Sequence, residues 1–368
     1  MNEKALVFFV LVLISVGLLT MASLEFLEEY ASPVEKQNLF LSHVGKVVIA
    51  FLFFLLFLYL DHRLLFKKRV IAVGYVLSVV MLVLLFFDLP FVERDLGARR
   101  WFNLGYFSFQ PSEFVKVYLI IFLSWYIDKH QSEMKKFFTG FLKPLLLVSP
   151  ILFLILLEPN LSTFLLLLFT TLFVLYAGET RGSYVLGFLA VLVFLGILGF
   201  KTGLVNHLLE GYQIERLRMF LSGDVSEQVS KALEGIKNGG ILGKGIMLGE
   251  SKLIVPVITT DFVLAAVGEE LGYIGLAIVL FSFYGLVHTL VKLSAKMYND
   301  LVVRNFIAGF AILIMLQVMV NVGVVAGLIP VTGMPLPFVS HGGSSMAVSM
   351  AGLGIIGNMV LEKGTERW

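Results

Sequence analysis

Residues 141–200 read FLKPLLLVSPILFLILLEPNLSTFLLLLFTTLFVLYAGETRGSYVLGFLAVLVFLGILGF, three apolar runs at 141–157, 161–177 and 183–200 separated by two short polar breaks. Each run approaches the roughly 20 residues that a helix needs to cross the hydrocarbon core of a bilayer. The breaks, Glu158-Pro159-Asn160 and the stretch 178–182, leave room only for tight returns. The pattern recurs outward in both directions, with further spans expected near 5–23, 43–60, 70–87, 113–127, 261–288, 306–327 and 345–361. The expectation is an all-α integral membrane protein: a polytopic bundle of about ten transmembrane helices forming one membrane domain over residues 1–368.

Composition excludes most other classes. Of 368 residues, 58% are hydrophobic and 15% charged, with a mean hydropathy of +0.92, which is outside the balance of a water-soluble domain. The 28 basic and 26 acidic residues give a net charge of +2, too even for a nucleic-acid-binding chain. The absence of cysteine removes disulfides, thiolate nucleophiles and thiolate metal sites. Six scattered histidines without HExxH or paired spacing argue against a His-rich metal site. The first run lacks a small-residue cleavage site and continues into Glu25, Glu28 and Glu29, so it reads as a retained helix. Basic residues of the short loops, including Lys4, Arg63, Lys67, Lys68, Arg69, Lys135, Lys136, Arg181, Lys292, Arg304, Lys363 and Arg367, fall on one side. The positive-inside rule makes that side, with both termini, cytoplasmic.

Three segments are then extracytoplasmic: 88–112, 201–260 and 328–344. The second is too long for an idle connection. Within it Glu210 to Leu221 mixes aromatic, apolar and basic residues as an interfacial helix does. Asp224-Val225-Ser226-Glu227 reads as a capping box opening a helix through Ile236, which Gly239-Gly240 ends.

The candidate chemistry lies at the borders of these segments. Gln110-Pro111-Ser112-Glu113-Phe114-Val115-Lys116 opens the fourth span with proline in the first turn, and Glu113 and Lys116 are i,i+3 neighbours. They are either a local ion pair at a helix start or groups facing an internal cavity. Glu158-Pro159-Asn160 is either turn chemistry with an N-cap or part of a polar cavity. Thr259-Thr260-Asp261-Phe262 starts the eighth span, with Asp261 expected in its first turn. That carboxylate either complements the helix dipole or serves as a general base held out of bulk water. Glu269 and Glu270 follow within the span and read as structural. The stretch 239–245, GGILGKG, fails the P-loop pattern because Gly245 follows Lys244, although its glycines and lysine suit a close approach to a diphosphate. The Pro/Gly-rich stretch 330–345 enters the tenth span, and its His341 reads as a structural histidine.

Seven motifs in register carry a resemblance: GARRWFNLG (97–105), QPSEFVK (110–116), EPNLST (158–163), YQIERLRMF (212–220), QVSKALEGIKNGGILGKG (228–245), TDFVLAAVGEELGYIG (260–275) and GLIPVTGMPLPFVSHGGSS (327–345). Together they resemble the SEDS family, which includes RodA and FtsW, over nearly the whole chain. The resemblance implies a peptidoglycan glycosyltransferase that polymerises lipid II on the outer face of the cytoplasmic membrane. Its implied partners are lipid II and undecaprenyl-pyrophosphate-linked glycan, a class B penicillin-binding protein, and other elongasome or divisome membrane proteins. By motif, Asp261 corresponds to the family's essential aspartate, Glu113 and Lys116 to its polar cavity, and Gln228 to its loop glutamine. Arg99, Arg100 and Lys244 are candidates to offset diphosphate charge, with Glu158, Asn160 and Ser344 as further cavity residues; a divalent cation, Mg or Mn, is the one cofactor to consider. The chain departs from the family where PExHTDF becomes 256–262 PVITTDF, where PDLGT becomes 159–163 PNLST, and where SYGGSS becomes 340–345 SHGGSS. Two other readings stand beside this one: a flippase for lipid-linked precursors, and a non-catalytic scaffold of a cell-wall synthesis complex. The stretch 249–253 leans towards FtsW and 105–113 suits RodA equally, so elongation and division both remain as roles.

Overall fold

A computed structural model describes residues 2–31, 38–95, 98–103, 105, 108–203, 211–222 and 226–365. Each expected span coincides with a helix: α1 (Asn2–Ala31), α2 (Leu39–Tyr59), α4 (Lys68–Leu84), α5 (Pro111–Lys129), α6 (Lys143–Leu157), α7 (Leu161–Ala177), α8 (Gly182–Thr202), α12 (Val263–Lys296), α13 (Leu301–Val325) and α14 (Gly343–Thr365). The remaining helices are short or lie in the long loop: α3 (His62–Leu65), α9 (Gly211–Ser222), α10 (Glu227–Gly239) and α11 (Ser251–Ile254). Among the described residues, seven helices are long and apolar enough to cross a membrane by themselves. Helix α6 is among them because a π-helical stretch, Phe138–Leu142, continues into it and makes 20 residues; α4 and α7 stop at 17 residues each, and α5 carries Glu113, Lys116 and Asp128 within its length. Apolar side chains such as Phe8, Leu52, Phe153, Leu186 and Phe194 point outward, as a lipid-facing surface requires.

Several hydroxyl side chains inside the spans are satisfied locally. Ser78, Ser124, Thr170, Thr171, Ser282 and Thr289 each donate a hydroxyl to the carbonyl four residues earlier, which removes the cost of an unpaired hydroxyl in hydrocarbon. Pro150 inside α6 cannot bond Leu146 O, and the neighbouring Ser149 hydroxyl donates to that carbonyl instead, at 3.0 Å.

The chain forms two compact units. One comprises Phe57–Arg218, Leu293–Leu313 and Gly354–Trp368. Its core is built by α4, α5, α6 and α7 around Tyr118, Phe122, Tyr126, Val148, Ile151 and Leu172. Gly74 admits the Tyr118 ring, whose hydroxyl donates to Ile71 O at 2.9 Å. An apolar cavity of about 780 Å³ lies between α6, α7 and α8, lined by Phe141, Leu145, Phe153, Phe164, Phe188 and Leu192 among others. The segment after α4 departs from the all-helical expectation. It forms an antiparallel sheet, β1 (Val92–Asp95), β2 (Ala98–Asn103) and β3 (Ser108–Phe109), in the order β1-β2-β3. Phe102, buried at the centre, lies 5.5 Å from the Phe91 ring and 6.5 Å from the Phe109 ring. These strands are too short, and too interrupted by charge, for their alternation to be visible in the sequence. Gly97, Leu104, Tyr106 and Phe107 of the motifs quoted there lie outside the described residues.

The other unit comprises Met1–Leu56, Met219–Lys292 and Ile314–Leu353. Its long-loop helix α10 is capped by the Ser226 side chain, which accepts from Val229 N at 3.4 Å. Asp224 and Val225 lie outside the described residues, as do Glu210 at the start of the interfacial helix and Arg367. Helix α12 is not the continuous span expected: Gly272 breaks it at φ 66° and ψ −165°. The loop after α10 supplies the hydrogen bonds that this break would otherwise leave unmade. Lys244 N and Gly245 N donate to Glu269 O and Glu270 O at 2.9 and 3.1 Å, while Tyr273 N and Ile274 N donate to Gly240 O and Ile241 O at 2.9 and 3.2 Å.

The close approach makes a testable demand. A Cβ on Gly272 would sit 2.4 Å from Gly243 N and from Ile241 O, in a conformation open essentially to glycine alone. Gly272→Ala is expected to destabilise the protein by roughly 2–5 kcal/mol, read as a lowered Tm in detergent. Gly196→Ala, where an added Cβ meets nothing within 4 Å, is expected to leave the Tm unchanged or slightly raised.

Candidate active site

The turn that carries Asp261 is fixed through its main chain. Residues 256–262 form consecutive turns, so Asp261 precedes α12 instead of occupying its first helical turn. Thr260 N and Asp261 N both donate to Val257 O, at 3.1 Å each. Three successive carbonyls then accept bonds from the C-terminal part of the same unit. His341 N donates to Thr259 O at 2.9 Å, Ser340 Oγ to Thr260 O at 2.5 Å, and Asn321 Nδ2 to Asp261 O at 3.0 Å. Asn321 Nδ2 also donates to Met334 O at 2.9 Å, and Ser340 Oγ accepts from Leu336 N at 2.9 Å. The Pro/Gly-rich stretch 330–342, which forms no helix, therefore packs as a wall against the turn. Asp261 itself is 9% exposed, a carboxylate withdrawn from bulk water at the start of a membrane helix.

Glu269 and Glu270 are buried nearby in sequence, and both are consumed by the long loop. Glu269 accepts from Lys244 Nζ at 2.8 Å, from Ser251 N at 2.7 Å and from the Ser251 hydroxyl. Glu270 accepts from Ser23 Oγ at 2.6 Å, from Met247 N at 2.8 Å and from Lys252 Nζ. The bond to Glu269 raises Lys244 above its ordinary pKa, so its ammonium is held by a carboxylate. Gln228, half-buried, lies in the first turn of α10, and Ser344 is buried in the first turn of α14.

In the other unit, Pro111 begins α5 and Gln110 precedes it, as the sequence implies. Lys116 Nζ donates to Glu113 Oε1 at 2.6 Å, with both residues at most 3% exposed. Arg99 pairs with Asp88 at 3.2 Å and donates to Phe86 O at 3.2 Å. Arg100 reaches from β2 to the α6–α7 return, donating to Glu158 O at 3.2 Å and to Pro159 O. Asn160 is the N-cap of α7, accepting from Thr163 N at 3.3 Å. Glu158 is 2% exposed and neither carboxylate oxygen has a hydrogen-bond partner. Burial raises its pKa to about 8 against the opposing charge of Arg100, so the carboxyl holds its proton at neutral pH. Among the described residues, three potential metal ligands come together at Asp61, His62 and Glu362; there Glu362 also pairs with Arg63 at 3.3 Å and His62 Nδ1 lies 2.8 Å from Asn358 Oδ1.

Sequence reasoning passed over Asn321, His43 and Lys46. A signal existed for each. Asn321 and Gln317 are amides at i,i+4 within an apolar span, and His43 and Lys46 are i,i+3 neighbours at the start of another.

A folded-state pKa raised from 4.5 to about 8 means that Glu158 supports the fold below pH 4.5 and opposes it increasingly as pH rises to about 8. Glu158→Gln is expected to remove that dependence and to stabilise the protein at pH 8.5 by at most about 5 kcal/mol. Thermal melts of both proteins from pH 5 to 8.5 check this; parallel curves would contradict it.

Comparison with known proteins places the chain. The model of the FtsW/RodA/SpoVE cell cycle protein family matches residues 4–364. A probable peptidoglycan glycosyltransferase FtsW from Trichlorobacter lovleyi is 34% identical over 289 residues, 77% of this chain and 73% of the relative. Stage V sporulation protein E from Bacillus subtilis is 33% identical over 273 residues, 72% of this chain and 71% of the relative. A chain from a structure described as structural coordination of polymerization and crosslinking by a peptidoglycan synthase complex superposes with a TM-score of 0.76 at 28% identity, covering 97% of each chain. The rod shape determining protein RodA of Thermus thermophilus superposes with a TM-score of 0.69 at 26% identity, covering 97% of this chain and 96% of that one. The chain belongs to the FtsW/RodA/SpoVE family.

Proposed function

We propose that this chain is a peptidoglycan glycosyltransferase that polymerises lipid II into β-1,4-linked glycan at the outer face of the cytoplasmic membrane, with both termini cytoplasmic. A class B penicillin-binding protein is its proposed partner, in keeping with the synthase complex that it resembles. The observation that carries the reading is Asp261, a carboxylate withdrawn from water on a turn whose carbonyls at 259, 260 and 261 are each hydrogen-bonded.

In this mechanism Asp261 takes the proton from the 4-hydroxyl of the acceptor N-acetylglucosamine. The oxygen attacks C1 of the donor N-acetylmuramic acid, the C1–O bond to the lipid diphosphate breaks with its electron pair going to the diphosphate, and the anomeric centre inverts. Fixing the main chain of the turn limits the positions that the carboxylate can take up towards a substrate. The apolar cavity of the α6–α8 unit has the volume and lining for part of a polyprenyl tail. A divalent cation, where one takes part, would supply positive charge for the leaving diphosphate; the three-ligand set among the described residues, Asp61, His62 and Glu362, does not include Asp261.

Incubating the purified full-length chain with lipid II, with and without its partner, tests the reading. Wild type is expected to form glycan strands, and Asp261→Asn to form them about 10²- to 10⁴-fold more slowly while still binding lipid II. Strand synthesis at the wild-type rate in the variant would overturn the assignment, and transfer of lipid II between leaflets without strands would replace it with a flippase.

A further inference from the structure

The cations expected to meet the substrate's diphosphate are occupied. Arg99 pairs with Asp88, Lys244 with Glu269, and Arg100 holds the carbonyls of the α6–α7 return. Lys46 differs. It lies half-buried in the second turn of α2, its Nζ donates to His341 O at 3.2 Å, and no carboxylate among the described residues pairs with it.

Around Lys46 the same unit gathers further groups suited to an anion. His43, one turn earlier and 0% exposed, stacks on His341 with ring centroids 5.2 Å apart, and their Nδ1 atoms are 3.2 Å apart. Such a bond needs one donor and one acceptor. Where His341 donates, His43 carries its one N–H on Nε2, and that buried atom has no partner. Burial and the Lys46 charge push His341 down to about pKa 3, so the ammonium, and not the imidazoles, supplies the charge. The bonds of His341 and Ser340 to the Thr259 and Thr260 carbonyls bring the start of α14 beside the start of α12, and the His43–His341 contact adds the start of α2. Three helix N-termini, each a positive dipole end, thus share one end of the unit, and at α2 the Phe40 N–H donates to Glu25 Oε2 at 2.5 Å. Ser345, in the first turn of α14, has a buried hydroxyl with no partner as well.

We propose that Lys46, backed by the His43–His341 pair and the N-terminus of α14, is the site that holds the diphosphate of the lipid-linked donor. The shared chemistry is a phosphate-ester anion at the membrane border, which a phospholipid headgroup also offers. The substrate's diphosphate is favoured because His341, which accepts from Lys46, also donates to the Asp261 turn. The carbon attacked and the diphosphate that leaves it are joined by one bond, so base and anion site must be neighbours. This inference rests on the glycosyltransferase reading; the ammonium would stabilise the charge that develops on the diphosphate as the C1–O bond breaks.

The full-length chain in phosphatidylcholine nanodiscs, titrated with undecaprenyl diphosphate, provides the test. Wild type is expected to bind it, Lys46→Gln to bind roughly ten- to a hundredfold more weakly, and Lys46→Arg to retain most of the affinity. Equal molar phosphatidylglycerol is expected not to compete. Unchanged binding in a Lys46→Gln protein that melts like wild type would overturn the proposal; so would Lys46-dependent displacement by phosphatidylglycerol, which would assign the site to headgroups. Asp261→Asn is expected to bind undecaprenyl diphosphate like wild type. A failure of the catalytic reading, seen as undiminished strand synthesis in that variant, is therefore distinguishable from a failure of the Lys46 site.

Discussion

Two adjacent carboxylates inside a membrane helix, Glu269 and Glu270, set the terms for the α12 unit. An ionised carboxylate in hydrocarbon is tolerated only when it is paired and hydrogen-bonded. Here the long loop supplies the partners: Lys244 and Ser251 for Glu269, Lys252 and Met247 N for Glu270, with Ser23 of α1 completing the second set. A loop that must satisfy two buried charges cannot wander. It docks along α12, and the break at Gly272 lets its backbone pair with the helix on both sides of the kink. The anchored loop then runs from Ser251 directly into the turns that present Asp261.

The candidate base is thereby held from two directions. The loop fixes where the turn begins, and Asn321, Ser340 and His341 fix its carbonyls. The structure gives the departures at Thr259 and His341 a common place, because the carbonyl of the first accepts from the main chain of the second. A histidine at 341 stacks on His43 and thereby draws α2 into the region. The acidic residue absent at Asn160 is a different matter. Asn160 works as an N-cap, while Glu158, with no donor on either oxygen, is the residue there whose ionisation is suppressed.

Much of this was legible in the sequence for a physical reason. Long apolar runs have few alternatives to membrane helices, so a helix was expected wherever one occurs, and the Gln110-Pro111 start and the Glu113–Lys116 pair followed from local rules that hold regardless of context. What was hidden depends on contacts distant in sequence. The break at Gly272 is paired with residues 240–245, and the role of Asn321 is fixed by Asp261, 60 residues away. The sheet at 92–109 is held by Phe91, Phe102 and Phe109, whose spacing spells no strand by itself. Lys46 was passed over in the sequence; what singles it out is that Arg99 and Lys244 are paired with carboxylates, while its own contact is the His341 carbonyl.

The central claim, that Asp261 is a general base held in a fixed and poorly solvated position, is tested most directly by the pH–rate profile of strand synthesis under single-turnover conditions. The account predicts an acid limb in wild type, where protonation of one carboxylate abolishes the rate, and no such limb in Asp261→Asn, whose residual rate should rise with hydroxide. An acid limb that survives unchanged in Asp261→Asn would assign the proton transfer to another group and contradict the account.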